Sequence, residues 1–115
     1  MDAQCIFCKI IEGQSPARVV YRDDLVVAFH DIRPVAPHHI LIVPKKHIPS
    51  VNHILPEDNL LMGHLFTIAR QLAKEQGIAQ SGYRLIVNTG PDAGQAVFHI
   101  HMHLIGGQRM RFPMG

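Results

Sequence analysis

The sequence predicts an α+β fold: a five-stranded antiparallel sheet with one long and one short helix, the sheet covered on one side. Three observations predict it. Five strand-like segments lie mostly within hairpin reach of one another, the stretch from Pro56 to about Gly77 switches to a helical period, and residues 98–105 alternate apolar residues with histidines. At 115 residues the chain is expected to be one domain, 1–115, and 47% hydrophobic with 17% charged residues marks it as globular. It shows no repeat, linker or low-complexity tract.

Taken in order, Cys5-Ile6-Phe7-Cys8-Lys9-Ile10-Ile11-Glu12 reads as a short helix that Gly13 ends, and Ser15-Pro16 turns the chain. Val19-Val20-Tyr21-Arg22 and Leu25-Val26-Val27-Ala28-Phe29 are two strands of a hairpin joined at Asp23-Asp24, and Asp31 follows directly. His39-Ile40-Leu41-Ile42-Val43 is a third strand, opened by Pro37 and closed by Pro44, because proline belongs at strand ends. In the long helix Leu61, Leu65, Ile68 and Leu72 fall on one stripe, with Pro56 and Asp58 as start signals. His64 near this stripe and His53 in the turn before it read as structural or solvated histidines. Tyr83-Arg84-Leu85-Ile86-Val87-Asn88 is the fourth strand and the histidine strand the fifth. The tail from Gln108 to Gly115 has no period, although Phe112 and Met114 are too apolar to be left in water without a partner.

In Phe98-His99-Ile100-His101-Met102-His103-Leu104-Ile105 the two-residue spacing puts three imidazoles on one face of a strand. Ile100, Met102 and Leu104 then face a helix. A lone histidine on an apolar strand is usually a hydrogen-bonded core residue. Three in register are not, since each ring left unpaired on burial costs roughly 1–3 kcal/mol. Two chemistries stay open: ligation of a metal by imidazole, and attack on phosphate by one neutral ring with its neighbours as donors. Asn88-Thr89-Gly90-Pro91-Asp92-Ala93-Gly94-Gln95-Ala96 is a turn-rich loop of the kind that aims backbone N–H groups at an anion, and it leads straight into the histidines. A hydrolytic metal site on the triad would add a nearby carboxylate, yet no Asp or Glu occurs between Asp92 and the last residue.

The formal net charge is only +2, with basic and acidic residues interspersed, so a nucleic acid polymer is not expected as a partner. No apolar run approaches the roughly 18 residues of a membrane helix, and the first residues lack the basic start and apolar run of a signal peptide. No membrane partner is expected, and the expected compartment is the cytoplasm. Cys5 and Cys8 would stay reduced there, as a redox pair, half of a zinc site or two ordinary buried thiols. Redox exchange is the weakest of these, because it wants a βαβ setting that this start lacks.

His99-Ile100-His101-Met102-His103-Leu104-Ile105 resembles the histidine triad motif, His-φ-His-φ-His-φ-φ with φ apolar. Phe29-His30-Asp31-Ile32, Ala36-Pro37-His38-His39, Pro44-Lys45-Lys46-His47, Gly94-Gln95 and the tail from Gly106 extend the likeness, so that nearly the whole chain looks like the Hint branch of the histidine triad superfamily. The resemblance implies the same architecture, and a homodimer whose sheet continues across two subunits, with a tail reaching toward the partner's site. It implies a hydrolase of purine nucleoside 5′-phosphoramidates and related nucleotidyl esters or amides, acting through a nucleotidyl-histidine on His101. His39, His103, Asn88, the Gln95 amide and the backbone N–H of Val97 match positions around the phosphate. Asp31 matches the carboxylate that takes the ribose hydroxyls, and Phe7, Ile10, Phe29, Ile32 and Leu41 match the apolar slot for the base. Ala96 departs from the best-known Hint sequences, which carry a serine whose hydroxyl points at the phosphate or leaving group. Some histidine triad proteins complete a Cys2His2 structural zinc site, here Cys5, Cys8, His47 and His99, with no cofactor required for the chemical step. Two rival readings remain: a nucleotide-binding or interaction module with little turnover, and a metal-dependent hydrolase that uses the triad as ligands.

Overall fold

Two faces of one sheet divide the apolar residues of this chain between them. The computed structural model describes residues 4–111, so Phe112 and Met114 lie outside the described residues. The strands are β1 (Val19–Arg22), β2 (Val26–His30), β3 (His38–Pro44), β4 (Tyr83–Ile86) and β5 (Met102–Gly106); the helices are α1 (Ile6–Ile11) and α2 (Asn59–Glu75). All neighbours pair antiparallel in the order β1-β2-β3-β5-β4. The two-residue period sends Val26, Ala28, Ile40, Ile42, Met102 and Leu104 to one side, where Leu65, Ile68, Ala69 and Leu72 of α2 bury them. Leu61 is half-buried at the margin of that core. Val27, Phe29, Leu41 and Val43 face the other way and pack against Phe7, Cys8, Ile10 and Ile11 of α1. The expectation of a sheet covered on one side is thereby corrected: the short helix covers part of the second face, and the rest of that face holds the chemistry.

Several element boundaries move for local reasons. β2 begins at Val26 because Asp23 Oδ1 accepts from the backbone N–H groups of both Leu25 and Val26, at 2.7 and 2.8 Å, which closes the turn one residue later. β3 runs on through Pro44, which pairs with Val26 at the end of the ladder, where no N–H is needed. The first turn of the long helix, Pro56–Asp58, is 3-10, with Asp58 Oδ2 accepting from the N–H of Leu55 at 2.9 Å. β4 stops at Ile86 because its partner strand ends there, opposite His103. The largest correction is to the fifth strand. Only His103 of the triad lies within β5; residues 98–101 precede it, and the N–H of Ile100 donates to the carbonyl of Ile48 at 2.7 Å instead of to a ladder neighbour. His64 Nε2 donates to Asp23 Oδ2 at 2.7 Å and His53 Nδ1 lies 2.8 Å from Ser50 Oγ, both structural contacts. Among the described residues no helix is long and apolar enough to cross a membrane.

Candidate active site and metal centre

His101 is buried, and its Nδ1 lies 2.8 Å from the carbonyl oxygen of His99. A carbonyl only accepts, so Nδ1 carries the proton and donates, and in the neutral ring Nε2 holds the lone pair. Burial holds His101 below its ordinary value, opposed by that hydrogen bond and by the charge of Asp31. The ring is therefore neutral near pH 7, with one nitrogen engaged and the other basic. Phe7 sets the plane of this ring edge-on, at 86° with centroids 5.0 Å apart.

The same reasoning fixes the next two imidazoles. The backbone N–H of Val35 donates to His39 Nδ1 at 3.1 Å, so the ring proton of His39 sits on Nε2. That N–H faces His103 Nδ1 at 2.9 Å and Asp31 Oδ2 at 3.3 Å. With Nδ1 accepting, neutral His103 keeps its proton on Nε2. Burial lowers His39, against the pull of Asp31, and lowers His103 to about 4, helped by the neighbouring His101 and His39. The outcome is a chain from a backbone amide through two rings to an N–H donor, on a ring whose centroid is 5.0 Å from that of the His101 ring. The other Asp31 oxygen accepts from the N–H of Arg33 at 2.8 Å. Asp31 lies far from the triad in sequence, and the start of the β2–β3 connection brings its carboxylate to His39.

These groups meet at a cavity of about 580 Å³ that holds His101, His103 and Asn88 on its walls. Phe7, Ile10, Phe29 and Leu41 make its buried apolar wall, Asp31 stands half-buried, and Ile32, 90% exposed, forms a lip. Ala96 and Val97 close the loop side. Gly90 (φ +82°) and Gly94 (φ +79°) flank the short 3-10 turn Pro91–Ala93 and allow its tight path. The Gln95 amide was expected to face the phosphate, and this is corrected. Its Oε1 accepts from the N–H of Gly90 at 2.9 Å, while Nε2 donates to the carbonyls of Pro49 and Val97 at 2.8 and 3.1 Å. Gln95 is buried and braces the loop. The N–H of Val97 has no acceptor among the described residues, which leaves it a donor for a bound anion.

His99 does something different with the same ring. Its Nε2 donates to the carbonyl of Pro44 at 2.7 Å, so the lone pair sits on Nδ1. Nδ1 faces Cys5 Sγ and Cys8 Sγ, each at 3.5 Å, and His47 Nδ1 at 3.2 Å, while Cys8 Sγ is 3.3 Å from His47 Nδ1. All four atoms lie within 4.8 Å of one another, a possible metal-binding arrangement. A tetrahedral ion with bonds of about 2.05 Å to nitrogen and 2.3 Å to sulfur would set N···N near 3.4 Å and N···S near 3.6 Å, close to these spacings. Cys5 also caps α1, so the three-residue step to Cys8 along the first turn puts both sulfurs on one side.

The triad is therefore legible as a motif but does not converge. One ring serves the cysteine cluster, one faces the cavity and one is held by His39, so a single metal on all three does not fit. Asp31, His39 and His103 also offer three atoms within 4.8 Å, but the Val35 bond keeps a proton on His39 Nε2, which makes it a donor and not a ligand.

Residues 12–110 match the HIT domain family. Over 115 residues the chain is 51% identical to the purine nucleoside phosphoramidase of Escherichia coli (strain K12), covering 100% of this chain and 93% of that protein. The crystal structure of a HIT family hydrolase from Legionella pneumophila Philadelphia 1 matches with a TM-score of 0.94 at 47% identity, covering 96% of this chain and 99% of the other. A histidine triad protein from Clostridium difficile matches with a TM-score of 0.94 at 44% identity and 97% coverage of both chains.

Proposed function

Because this chain belongs to the HIT domain family, we propose that it hydrolyses purine nucleoside 5′-phosphoramidates and related nucleotidyl esters or amides through a covalent intermediate on His101. The observation that carries the reading is the bond from His101 Nδ1 to the carbonyl of His99. It leaves Nε2 as the attacking lone pair on a buried, neutral ring. The base enters the apolar slot formed by Phe7, Ile10, Phe29 and Leu41, with Ile32 as its outer lip, and Asp31 takes the ribose hydroxyls. His101 Nε2 bonds to the α-phosphorus, the P–N bond breaks, and the amine leaves with the electron pair and a proton taken from solvent, which the later water step returns. The charge left on His101 is stabilised by the His99 carbonyl, to which its Nδ1–H already points. His103 Nε2–H, Asn88 and the Val97 N–H answer the charge on the phosphoryl oxygens, where one such donor is worth about 3 kcal/mol. Water then attacks phosphorus, returns the electron pair to His101 Nε2 and gives up a proton, so that one water is consumed overall.

Cys5, Cys8, His47 and His99 would hold one structural zinc. Four protein ligands close its shell, so the ion would pin α1 to the segment before β5. A reducing compartment such as the cytoplasm suits this reading, because both thiols must stay free to ligate. A homodimer is supported by β4, which ends the sheet with an open edge to which a second copy can add its own strand.

The test is to quench the protein during turnover of a radiolabelled adenosine 5′-phosphoramidate and locate the label. Label on His101, together with His101→Gly that binds nucleoside monophosphate but turns over several orders of magnitude more slowly, is the expected result. Full activity in His101→Gly refutes the mechanism. Turnover lost to a chelator with no trapped adduct would favour a metal hydrolase, and binding without turnover an interaction module.

A further inference from the structure

A second cavity, of about 260 Å³, reaches the four-atom cluster: Cys5 and His47 are on its wall, together with Ile6 and Phe98. Cys8 and His99, 1% and 0% exposed, are not on that wall. One sulfur of the cluster therefore borders a space that a small solute can enter, while the other is enclosed. We propose that this cavity admits hydrogen peroxide to an oxidation site, where Cys5 and Cys8 are converted to a disulfide, the cluster loses its metal and the nucleotide slot loosens. The inference rests on the structural zinc reading and adds a modification site to it.

A sulfur that ligates a metal is a thiolate, and the thiolate is also the nucleophile toward peroxide. Cys5 Sγ attacks one peroxide oxygen, the O–O bond breaks, and the other oxygen leaves as hydroxide, so that Cys5 becomes a sulfenic acid. Cys8 Sγ, within 4.8 Å of Cys5 Sγ, then attacks that sulfur, the S–O bond breaks, and a second hydroxide leaves. Two thiolates have given two electrons to one peroxide, and solvent protonates both hydroxides to water. The spacing suits this step: Cys5 caps α1, Cys8 stands in its first turn, and the N–H of Cys8 donates to Cys5 Sγ at 3.4 Å. Such oxidation happens once per pair of thiols. It is not the repeated dithiol exchange for which a βαβ setting is wanted.

The disulfide leaves the cluster with His47 and His99 alone, two ligands short of a closed shell. α1 then loses its tie to the segment before β5. Phe7, between the two cysteines, meets the rings of His99 and His101 edge-on, and with Ile10 it walls the base slot. A slot whose wall is no longer pinned should hold a purine nucleotide about tenfold less tightly, roughly the worth of one apolar side chain's cover.

The experiment adds hydrogen peroxide to the zinc-loaded protein and reads three quantities together: zinc set free, by a colorimetric chelator; the Cys5–Cys8 bond, by thiol alkylation and peptide mass; and adenosine monophosphate affinity. Expected are one zinc released for each disulfide formed, affinity weaker by about tenfold, and recovery of both on adding a thiol reductant and zinc. Phe98→Ala widens the cavity without removing a ligand and should speed the release severalfold. Release without the Cys5–Cys8 bond, a release rate that Phe98→Ala leaves unchanged, or an affinity that survives oxidation overturns the proposal. Protein that carries no zinc when purified without chelator overturns the zinc reading and this inference with it, whereas zinc that stays bound under peroxide overturns this inference alone.

Discussion

His39→Ala tests the chain of imidazoles from the Val35 amide to the phosphate. In the intact protein His39 Nε2–H lies 2.9 Å from His103 Nδ1, and that bond keeps the His103 proton on Nε2. If the variant merely lost one neutral hydrogen bond, about 1 kcal/mol would go, roughly fivefold in rate. A His103 ring free to exchange tautomers loses its donor toward the phosphate as well, and one such donor is worth about 3–4 kcal/mol, or 10²- to 10³-fold. The expected fall in kcat is therefore of order 10²-fold, well above the fivefold floor. His39→Gln places an amide N–H near the old Nε2 position and should recover most of it. Steady-state hydrolysis of a nucleoside phosphoramidate measures both, with nucleotide affinity as the check that the slot survives. A fivefold loss in His39→Ala, or no recovery in His39→Gln with affinity intact, would refute the tautomer argument.

Three further outcomes are expected. Protein purified without chelator should carry about one zinc per chain by metal analysis, and Cys8→Ser should lose it and melt at a lower temperature; well under one zinc, or an unchanged melting temperature, counts against the site. Ala96→Ser should speed hydrolysis of alkyl-amine phosphoramidates roughly 10- to 100-fold, the worth of one hydrogen bond to a charged group, and hardly affect aryl esters; equal acceleration of both substrates, or of neither, defeats the idea. Burial would raise the Asp23 carboxyl, but bonds from His64, Tyr21, Leu25 and Val26 outweigh it and hold the carboxyl well below its usual 3.8. Its stabilisation is therefore full above that value and fades as pH falls through it, so Asp23→Asn should cost about 1.5–3 kcal/mol in urea unfolding at pH 7 and clearly less at pH 3; an equal cost at both would refute the assignment.

The parts of the fold that were legible in the sequence are those that periodicity encodes. Leu65, Ile68 and Leu72 repeat at helical spacing and are buried, and Met102 and Leu104 alternate into the same core. The pattern misled where alternation outlasted the ladder: residues 98–101 alternate as a strand does, yet Ile100 bonds to Ile48, far away in sequence. The three imidazoles were legible as a set by type and spacing, whereas the partners of Gln95 were not, because a side-chain amide finds them only in the tertiary fold. The groups that decide the chemistry left no mark in the sequence at all. The N–H of Val35 and the carbonyls of Pro44 and His99 are backbone atoms, identical in every residue that could stand there.

Those backbone atoms explain how one motif can serve two purposes. His99 and His101 are two residues apart in one extended segment, and spacing alone gives no reason for them to differ. The carbonyl of Pro44 accepts a hydrogen bond from His99 Nε2–H and leaves the lone pair on Nδ1, the nitrogen nearer the chain, toward the cysteine cluster. The carbonyl of His99 accepts a hydrogen bond from His101 Nδ1–H and leaves the lone pair on Nε2, the nitrogen at the tip of a ring that lines the cavity. The ring held close to the backbone suits a closed anchoring site, and the ring that projects its lone pair suits attack on a ligand that must come and go. Phe7 meets both rings edge-on, at 6.0 and 5.0 Å, from the helix that carries Cys8 and is capped by Cys5. The possible metal-binding cluster and the cavity-facing imidazole thus share a wall but no atoms, so an ion bound at the cluster would brace the segment that carries His101 without touching that ring.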